Sequence, residues 1–335
     1  MENLKDKIIS VTGIGNAIVD IAANVDEDFL KTCDMAKGSM KLICEAEAKK
    51  LHSSINATGM ISGGSAANTI AGLAVLGHKV AFIGKVKDDY LGKIFESELK
   101  KLGVIFNTKK APADPETAST ASCIVMTTPD AQRTMSTCLG IAGELSSDDI
   151  EVNLIKSSEI VYIEGYLWDQ DAAKKAIKKA ISISKRYGSK VAFSLSDSFC
   201  VERHKKEFLD IVKNPADVVF ANESEIMSLF SADDFNAAVS MCRDLNAIIA
   251  ITRSEKGSVI VSGKDIVMIE PVRTEIIDST GAGDLYAAGF LSGYLQGKEL
   301  SDCGKMGSIL ASEIITHTGA RPQKPLLELL SIHGL

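Results

Sequence analysis

The sequence predicts an α/β fold of three layers: a mainly parallel central sheet between two layers of helices, with a small β lid set over one end. Three observations predict it. Short apolar runs alternate with helix-like stretches along most of the 335 residues. A stretch rich in Thr, Ser and Ala, from about 105 to 141, breaks that alternation. A glycine-rich turn, Asp278 to Asp284, opens a helix toward the far end.

Taken in order, Ile8–Ile14, Val80–Ile83, Ile160–Ile163, Lys190–Leu195, Val218–Ala221, Ala247–Thr252 and Ser258–Val261 read as strands. Between them, Thr69–Leu76, Tyr90–Leu102, Gln170–Arg186, Glu223–Leu229 and Phe235–Leu245 read as helices. Strands that alternate with helices in this way pair in parallel and are covered on both faces. The stretch that breaks the pattern carries Pro112, Pro115 and Pro129. Thr120–Thr127 and Arg133–Leu139 suit a hairpin around Thr128–Gln132, and Gly38–Ile43 is a further strand candidate. These are the expected lid strands; ordinary surface hairpins would carry the same pattern.

Composition narrows the function. With 45% hydrophobic residues the chain can bury an ample core. A net charge of -7 argues against a general nucleic-acid or membrane-surface binder, which needs a basic face. The seven cysteines are scattered with no CxxC pair, so reduced thiols in a cytoplasmic protein fit better than a disulfide framework or zinc site. Met1–Ser10 lacks the apolar run of a signal peptide, and no stretch approaches the roughly 18 apolar residues of a membrane span.

The most informative segment is Asp278-Ser279-Thr280-Gly281-Ala282-Gly283-Asp284. Between its two acids no side chain is larger than Thr, so a ligand can approach the backbone closely. The N–H groups of Gly281, Ala282 and Gly283 are expected at a helix start, where the dipole favours an anion. Such a site suits the charge that builds on a transferring phosphoryl group. Asp284, in the first turn of that helix, is placed to take the proton of an attacking hydroxyl. An aspartate at a helix start is more often a cap, but here it closes a dense run of small residues.

This segment resembles the signature D-[ST]-[ST]-[GA]-A-G-D of the ribokinase-like (PfkB) carbohydrate and nucleoside kinases. Gly63-Gly64-Ser65-Ala66-Ala67-Asn68 resembles the same family's G-G-x-x-x-N. The resemblance covers nearly the whole chain and implies one kinase domain, 1–335, with lid segments at approximately 16–45 and 105–141. It implies that Asp284 is the catalytic base and that Gly281, Ala282 and Gly283 form the anion hole. It also implies that Asp20 and Asn68 bind sugar hydroxyls while Gly63 and Gly64 lie against the ribose. Gly15-Asn16-x-x-x-Asp20 is most similar to the G-N-x-x-x-D of adenosine kinases, bacterial ones included, which brings in Asn16. Gln132-Arg133-Thr134 resembles the lid arginine that closes on the phosphates. In Glu164-Gly165-Tyr166-Leu167-Trp168, Tyr166 and Leu167 fall where adenosine kinases place a base-stacking pair. Trp168 is either the stacking group itself or core, with core the default, and Phe199 and Met40 are further candidates for apolar cover.

On the nucleotide side, Asn222-Glu223-Ser224-Glu225 resembles N-x-x-E, which implies that Asn222 and Glu225 organise Mg²⁺ and phosphate, Glu225 through water. The same two residues suit a capping box. Thr252-Arg253-Ser254-Glu255-Lys256-Gly257 resembles the ATP loop T-x-G-x-x-G, with Ser254 in place of the first glycine, so Thr252, Ser254 and Gly257 are implied ATP contacts. Gly319, with Ser312 and His317 near it, is an implied wall of the adenine pocket. Ser194 stands where many members carry an asparagine, leaving that contact to Ser194 or Asp197. Some members bind K⁺ beside the anion hole; the resemblance leaves open whether this chain does, and Asp278 and Thr280 would be local ligands, with carbonyls near Thr316–Gly319.

Two other nucleotide folds are excluded. Ile18 replaces the third glycine of a G-x-G-x-x-G begun at Gly13, and no G-x-x-x-x-G-K-[ST] loop is present. The expected activity is transfer from ATP to the 5′-hydroxymethyl of adenosine, with a sugar kinase acting on a ribose- or fructose-like substrate as the alternative. The expected partners are these small molecules, with no nucleic acid and no membrane, in a monomer or a homodimer.

Overall fold

The computed structural model describes residues 7–130 and 132–335. Its strands are β1 (Ile9–Ile14), β2 (Ile18–Asn24), β3 (Met40–Leu42), β4 (Ala57–Gly63), β5 (Val80–Ile83), β6 (Ala121–Thr127), β7 (Arg133–Cys138), β8 (Ser158–Glu164), β9 (Lys190–Ser194), β10 (Val218–Asn222), β11 (Ile248–Thr252), β12 (Ser258–Ser262) and β13 (Asp265–Ile269). They form two sheets. The larger runs β13-β12-β11-β10-β9-β8-β1-β5, and the smaller runs β3-β7-β6-β2-β4.

From β5 to β11 the large sheet is parallel; β12 and β13 add antiparallel strands at one edge. Its strands are apolar runs because both faces are covered. In β8, Ile160 and Tyr162 join one core cluster while Val161 and Ile163 join the other. The first cluster takes in helices Ser65–Val75, Tyr90–Lys101, Ala282–Leu295 and Leu300–Ile314. The second takes in Asp171–Tyr187, Ser198–Lys213, Glu223–Phe230 and Phe235–Cys242. The three-layer α/β architecture expected from the sequence is therefore present, and the expected strands and helices stand within a few residues of their places.

The chain leaves the large sheet after β1, builds β2, and returns through β4 into helix Ser65–Val75. β6 and β7 form an antiparallel hairpin, β2 pairs in parallel with β6, and β3 pairs in parallel with β7. Ala131, in the expected turn of that hairpin, and Met1–Asp6 at the chain start lie outside the described residues. The small sheet also takes β4, which falls outside the segments 16–45 and 105–141. Ala57–Gly63 contains two glycines and little apolar alternation, so it carries a weak strand signal.

Among the described residues, no helix is long and apolar enough to cross a membrane.

Candidate active site

Helix Ala282–Leu295 starts at Gly281, whose φ is +78° and whose side chain, were there one, would come 2.8 Å from Ala320 Cβ. Only glycine suits both the left-handed backbone and the contact. No side chain caps this helix start, so its first-turn donors face the cleft; the Ala282 N–H also makes a 3.3 Å bond to the Ser279 carbonyl. Asp284 stands two residues into the helix. Ser65 Oγ donates to its Oδ1 (2.6 Å) and Asn68 Nδ2 to its Oδ2 (2.9 Å). Thr69 Oγ1 donates to its carbonyl (3.1 Å), fixing the helix start against helix Ser65–Val75. Burial pushes the Asp284 carboxyl up to about 6, while the Ser65 and Asn68 bonds and the Arg321 charge pull it back.

Asp20, on β2, faces the same cleft, and burial pushes its carboxyl up to about 6 against the pull of Arg321 and Arg133. A side chain at Gly63 would meet Asp20 Oδ2 at 2.4 Å, so the glycine makes room for the carboxylate. Gly64 has φ +95°, and a Cβ there would lie 2.2 Å from the Asn16 carbonyl. Asn16 itself is buried and turned away from the cleft lining. Its N–H and its Nδ2 both donate to Glu164 Oε1 at 2.8 Å, and the Ala66 N–H donates to Glu164 Oε2 at 2.8 Å. Glu164 thus ties together the two points where the chain enters and leaves the small sheet. Burial pushes its carboxyl up to about 7, against those three bonds.

These groups line one end of a cleft of about 820 Å³ between the two sheets. The other end is built by Asn222, Glu225, Thr252 and Ser254, with Thr318 and Gly319 also on the wall. Asn222 and Glu225 do form the capping box: Asn222 Oδ1 accepts from the Glu225 N–H (2.8 Å), and the Asn222 N–H donates to Glu225 Oε2 (3.0 Å). Both residues line the cleft as well. Ser194 lines it too, whereas Asp197 is spent capping helix Ser198–Lys213 through the Cys200 N–H (2.6 Å). Ser254, at the place of the missing glycine, takes a left-handed φ of +52°. Gly257 is set back from the cleft; it turns the chain into β12 with φ +78°, and a Cβ there would strike the Ile269 carbonyl at 2.0 Å. Ser312 and His317 bond to Ile309 and Glu313 instead of lining the cleft.

The roof is one face of the small sheet. Directly paired residues share a face, and Asp20–Cys123, Ala22–Val125 and Val125–Met135 are such pairs. From the same sheet Arg133 reaches down to Asp278 (2.5 Å) and bonds Thr280 Oγ1. Asp278 also accepts from the Thr280 N–H (2.7 Å) and the Gly319 N–H (2.8 Å).

Several expectations are corrected. Leu167 does not face the cleft: Gly165–Asp169 is a tight 3₁₀ turn, which leaves Tyr166 on the lining and sends Leu167 and Trp168 into the core. Phe199 and Met40 are exposed and away from the lining. Asn16 and Gly257 shape the backbone instead of touching the cleft. Sequence reasoning missed Ser65, Glu164 and Arg321. Ser65 sits inside the quoted glycine motif and could have been found as an N-terminal hydroxyl facing Asp284. Glu164 ends an apolar strand, where an acid is unusual. Arg321 follows the Gly319 turn and had no signal beyond its charge.

Behind the Tyr166 turn, Asp169, Cys200 and His204 bring ligand-type atoms within 4.8 Å of one another. Arg203 takes both Asp169 oxygens (3.0 and 2.8 Å), and the Cys200 thiol donates to the Gly165 carbonyl. The cluster is a charge-paired brace for the turn.

Two ions implied by the resemblance can be tested on the residues. Glu225 suits Mg²⁺: it is a cleft-lining carboxylate whose carboxyl burial pushes up to about 7, and the charge of nearby Asp197 acts the same way, so a cation there relieves both. K⁺ does not fit Asp278 and Thr280 in this arrangement, because the Arg133 guanidinium occupies both side chains.

The same fold is found in known proteins. A probable sugar kinase from Rhizobium etli has a structure with a TM-score of 0.89 at 41% identity, covering 97% of this chain and 98% of that one. The adenosine kinase from Sinorhizobium meliloti gives 0.88 at 42% identity, covering 97% and 99%. A 5-dehydro-2-deoxygluconokinase of Clostridium perfringens is 29% identical over 280 residues, 80% of this chain and 82% of that protein. The profile of the pfkB family carbohydrate kinases matches residues 35–326. With that match, and with the glycine turn, its aspartate and the two-sheet cleft in place, the chain belongs to the PfkB family of carbohydrate kinases.

Proposed function

We propose that this PfkB-family kinase transfers the γ-phosphoryl group of ATP to the 5′-hydroxymethyl of adenosine, giving AMP and ADP, a purine-salvage step in the cytoplasm. The observation that carries the reading is the roof of the cleft. Ala22, Val125 and Met135 make a flat apolar face beside the Asp20 carboxylate. A nucleobase lies against such a face while the ribose diol reaches Asp20 and Asn68. The 42% identity to an adenosine kinase over nearly the whole chain supports the same reading.

The chemistry follows from the residues. Asp284 accepts the proton of the 5′-hydroxyl as its oxygen attacks the γ-phosphorus, and the bond from that phosphorus to the β-bridging oxygen breaks, releasing ADP. The first-turn N–H groups of Gly281, Ala282 and Gly283 face the negative charge that spreads over the transferring group. Asn222 and Glu225 are the residues that would hold Mg²⁺, and the ion would supply charge neutralisation on the ATP phosphates. The small sheet acts as a lid inserted in a single kinase domain, and Arg133 seals it, which excludes water from the transfer.

A sugar kinase of the same family is the second reading. Among the described residues, the lid face that lines the cleft has no aromatic side chain to stack on a base, and the 5-dehydro-2-deoxygluconokinase relative carries a sugar-acid kinase name. ATP consumption measured with adenosine, inosine, ribose and fructose separates the two. Adenosine is expected to give the highest kcat/KM; a higher value for either sugar overturns the nucleoside assignment.

A further inference from the structure

Arg321 lies outside every motif that the sequence offers, yet, half-buried, it packs against the catalytic constellation. Its Nη1 donates to Asn68 Oδ1, and its Nη2 donates to Ser62 Oγ at 3.0 Å. Asn68 in turn donates from Nδ2 to Asp284 Oδ2 at 2.9 Å. Ser62 is in β4, its backbone N–H held by Glu98 Oε2 at 2.5 Å. One guanidinium therefore grips an amide that touches Asp284 and a hydroxyl on the small sheet.

A carboxamide has a donor end and an acceptor end of nearly the same shape. Only the donor end suits the Asp284 carboxylate. Arg321 has no acceptor, so an amide held by it must present its oxygen to the guanidinium and its nitrogen to Asp284. We propose that Arg321 is a positioning residue for the base: it fixes which end of the Asn68 amide faces Asp284, and through Ser62 it makes that orientation depend on β4 being in place. The inference rests on Asp284 acting as the base.

The consequence is a pH dependence. An amide free to turn can offer its oxygen to a protonated Asp284, and a hydrogen bond that favours the acid form raises the carboxyl. The other charged or titratable groups that face Asp284 are Asp20 from β2, Tyr162 and Glu164 from β8, and Tyr166 from the turn that follows. Arg133 and Asp278 act on the neighbouring Asp20. The Arg321 charge itself also holds down the Asp20 and Asp284 carboxyls; Lys keeps that charge and Met removes it.

The test uses the full-length Arg321→Met and Arg321→Lys proteins and the pH profile of kcat/KM with ATP and the preferred acceptor. Met removes the donors and the charge; Lys keeps the charge and a donor for Asn68 on one nitrogen, without the fork that spans Asn68 and Ser62. In the Met protein the acid limb is expected to move up by at least about one pH unit, with most of the lost activity recovered above it. In the Lys protein the limb is expected at the parental pH, with plateau turnover lowered by about tenfold or less. A Met protein with equal loss at every pH, or with an unmoved limb, overturns the proposal; so does the same displacement on an Asn68→Ala background, where no amide can turn and only the lost charge acts. If the Met protein does not fold, the Lys protein decides: a limb displaced by a unit or more overturns it, and a parental limb supports it. Carboxyl NMR titration of Asp284 in the acceptor-free proteins reads the same displacement without turnover. Its result stands even if Asp284 is not the base, so the two failures are distinguishable.

Discussion

The Arg133 guanidinium of the small sheet lies 2.5 Å from the Asp278 carboxylate at the start of the glycine turn. The pair spans the cleft: one partner belongs to β7, the other to the segment that opens helix Ala282–Leu295. Asp278 also receives the Thr280 and Gly319 N–H groups, so it orders the turn from behind while Arg133 pins the roof to it. Lifting the roof would expose the Asp278 charge, so closure and completion of the site are expected to be one event.

Arg133→Ala is expected to lower the acceptor-dependent rate by at least about a hundredfold, because breaking a buried pair by removing one partner costs about 3–5 kcal/mol. Affinity for ATP alone is expected to change little. In the parental protein, adenosine is expected to slow hydrogen exchange in Met40–Leu42, Ala121–Thr127 and Arg133–Cys138, with ATP alone having a weak effect. If exchange there ignores the acceptor, closure is not coupled to binding.

Asp284→Asn separates activity from stability. Turnover is expected to fall at least about a hundredfold with loss of the general base. Stability is expected to move the other way at high pH. Burial raises the Asp284 carboxyl from 3.8 to about 6, so the folded state binds this proton more tightly than the unfolded chain. Stability from this group is therefore full below pH 3.8 and is lost as pH rises through about 6. The asparagine, which cannot ionise, is expected to be more stable at pH 8 by up to about 3 kcal/mol, less the cost of turning one donor toward Asn68. Urea unfolding at pH 8 and pH 5 measures this; an advantage that grows toward low pH contradicts the sign.

The parts legible in the sequence are those with strong local signals. β5, β8, β10 and β11 are apolar because both faces are buried, and Asp278–Asp284 is dense in small residues because backbone must meet ligand. β4 was not legible: its pairing depends on β2, not on its own residues. Leu167 illustrates a second limit. Its neighbour Tyr166 faces the cleft, but a 3₁₀ turn divides consecutive side chains between cleft and core, and periodicity cannot forecast that division. Arg321 shows a third: its partners Asn68 and Ser62 lie 253 and 259 residues away, and only the folded chain brings them together.

Gly283 offers a test of the anion hole that leaves the fold intact. Unlike Gly281, it has no positive φ, and a Cβ added there meets nothing within 4 Å. Alanine is also the better helix former by up to about 1 kcal/mol. Gly283→Ala is therefore expected to melt at or above the parental temperature while its methyl group intrudes on the phosphoryl position. Turnover is expected to fall by about tenfold or more, the low side of losing one oxyanion contact. Gly281→Ala, by contrast, is expected to lose both stability and turnover. Equal activity of Gly283→Ala and the parent means that the transferring group lies elsewhere.

Asp20 tests the separation of the two ends of the cleft. Its carboxylate rests where a side chain at Gly63 would be, on the strand that faces the acceptor, while Asn222, Thr252 and Ser254 line the opposite end. Asp20→Ala is expected to weaken acceptor binding by about 1.5–3 kcal/mol, the range for hydrogen bonds to a charged group. ATP affinity is expected to stay within about twofold, because no ATP-end residue bonds to Asp20 in the described structure. The Asp20→Asn protein refines the reading: it keeps one acceptor oxygen for a hydroxyl, so its loss is expected to be smaller. Burial raises the Asp20 carboxyl to about 6, so acceptor affinity in the parent is expected to weaken as pH falls below that value. Both variants are expected to lose that part of the pH dependence. Calorimetric titration with acceptor and with ATP, each at pH 5 and pH 8, measures all of this. Parallel losses for the two ligands, or an unchanged pH dependence in Asp20→Ala, place the diol on another residue.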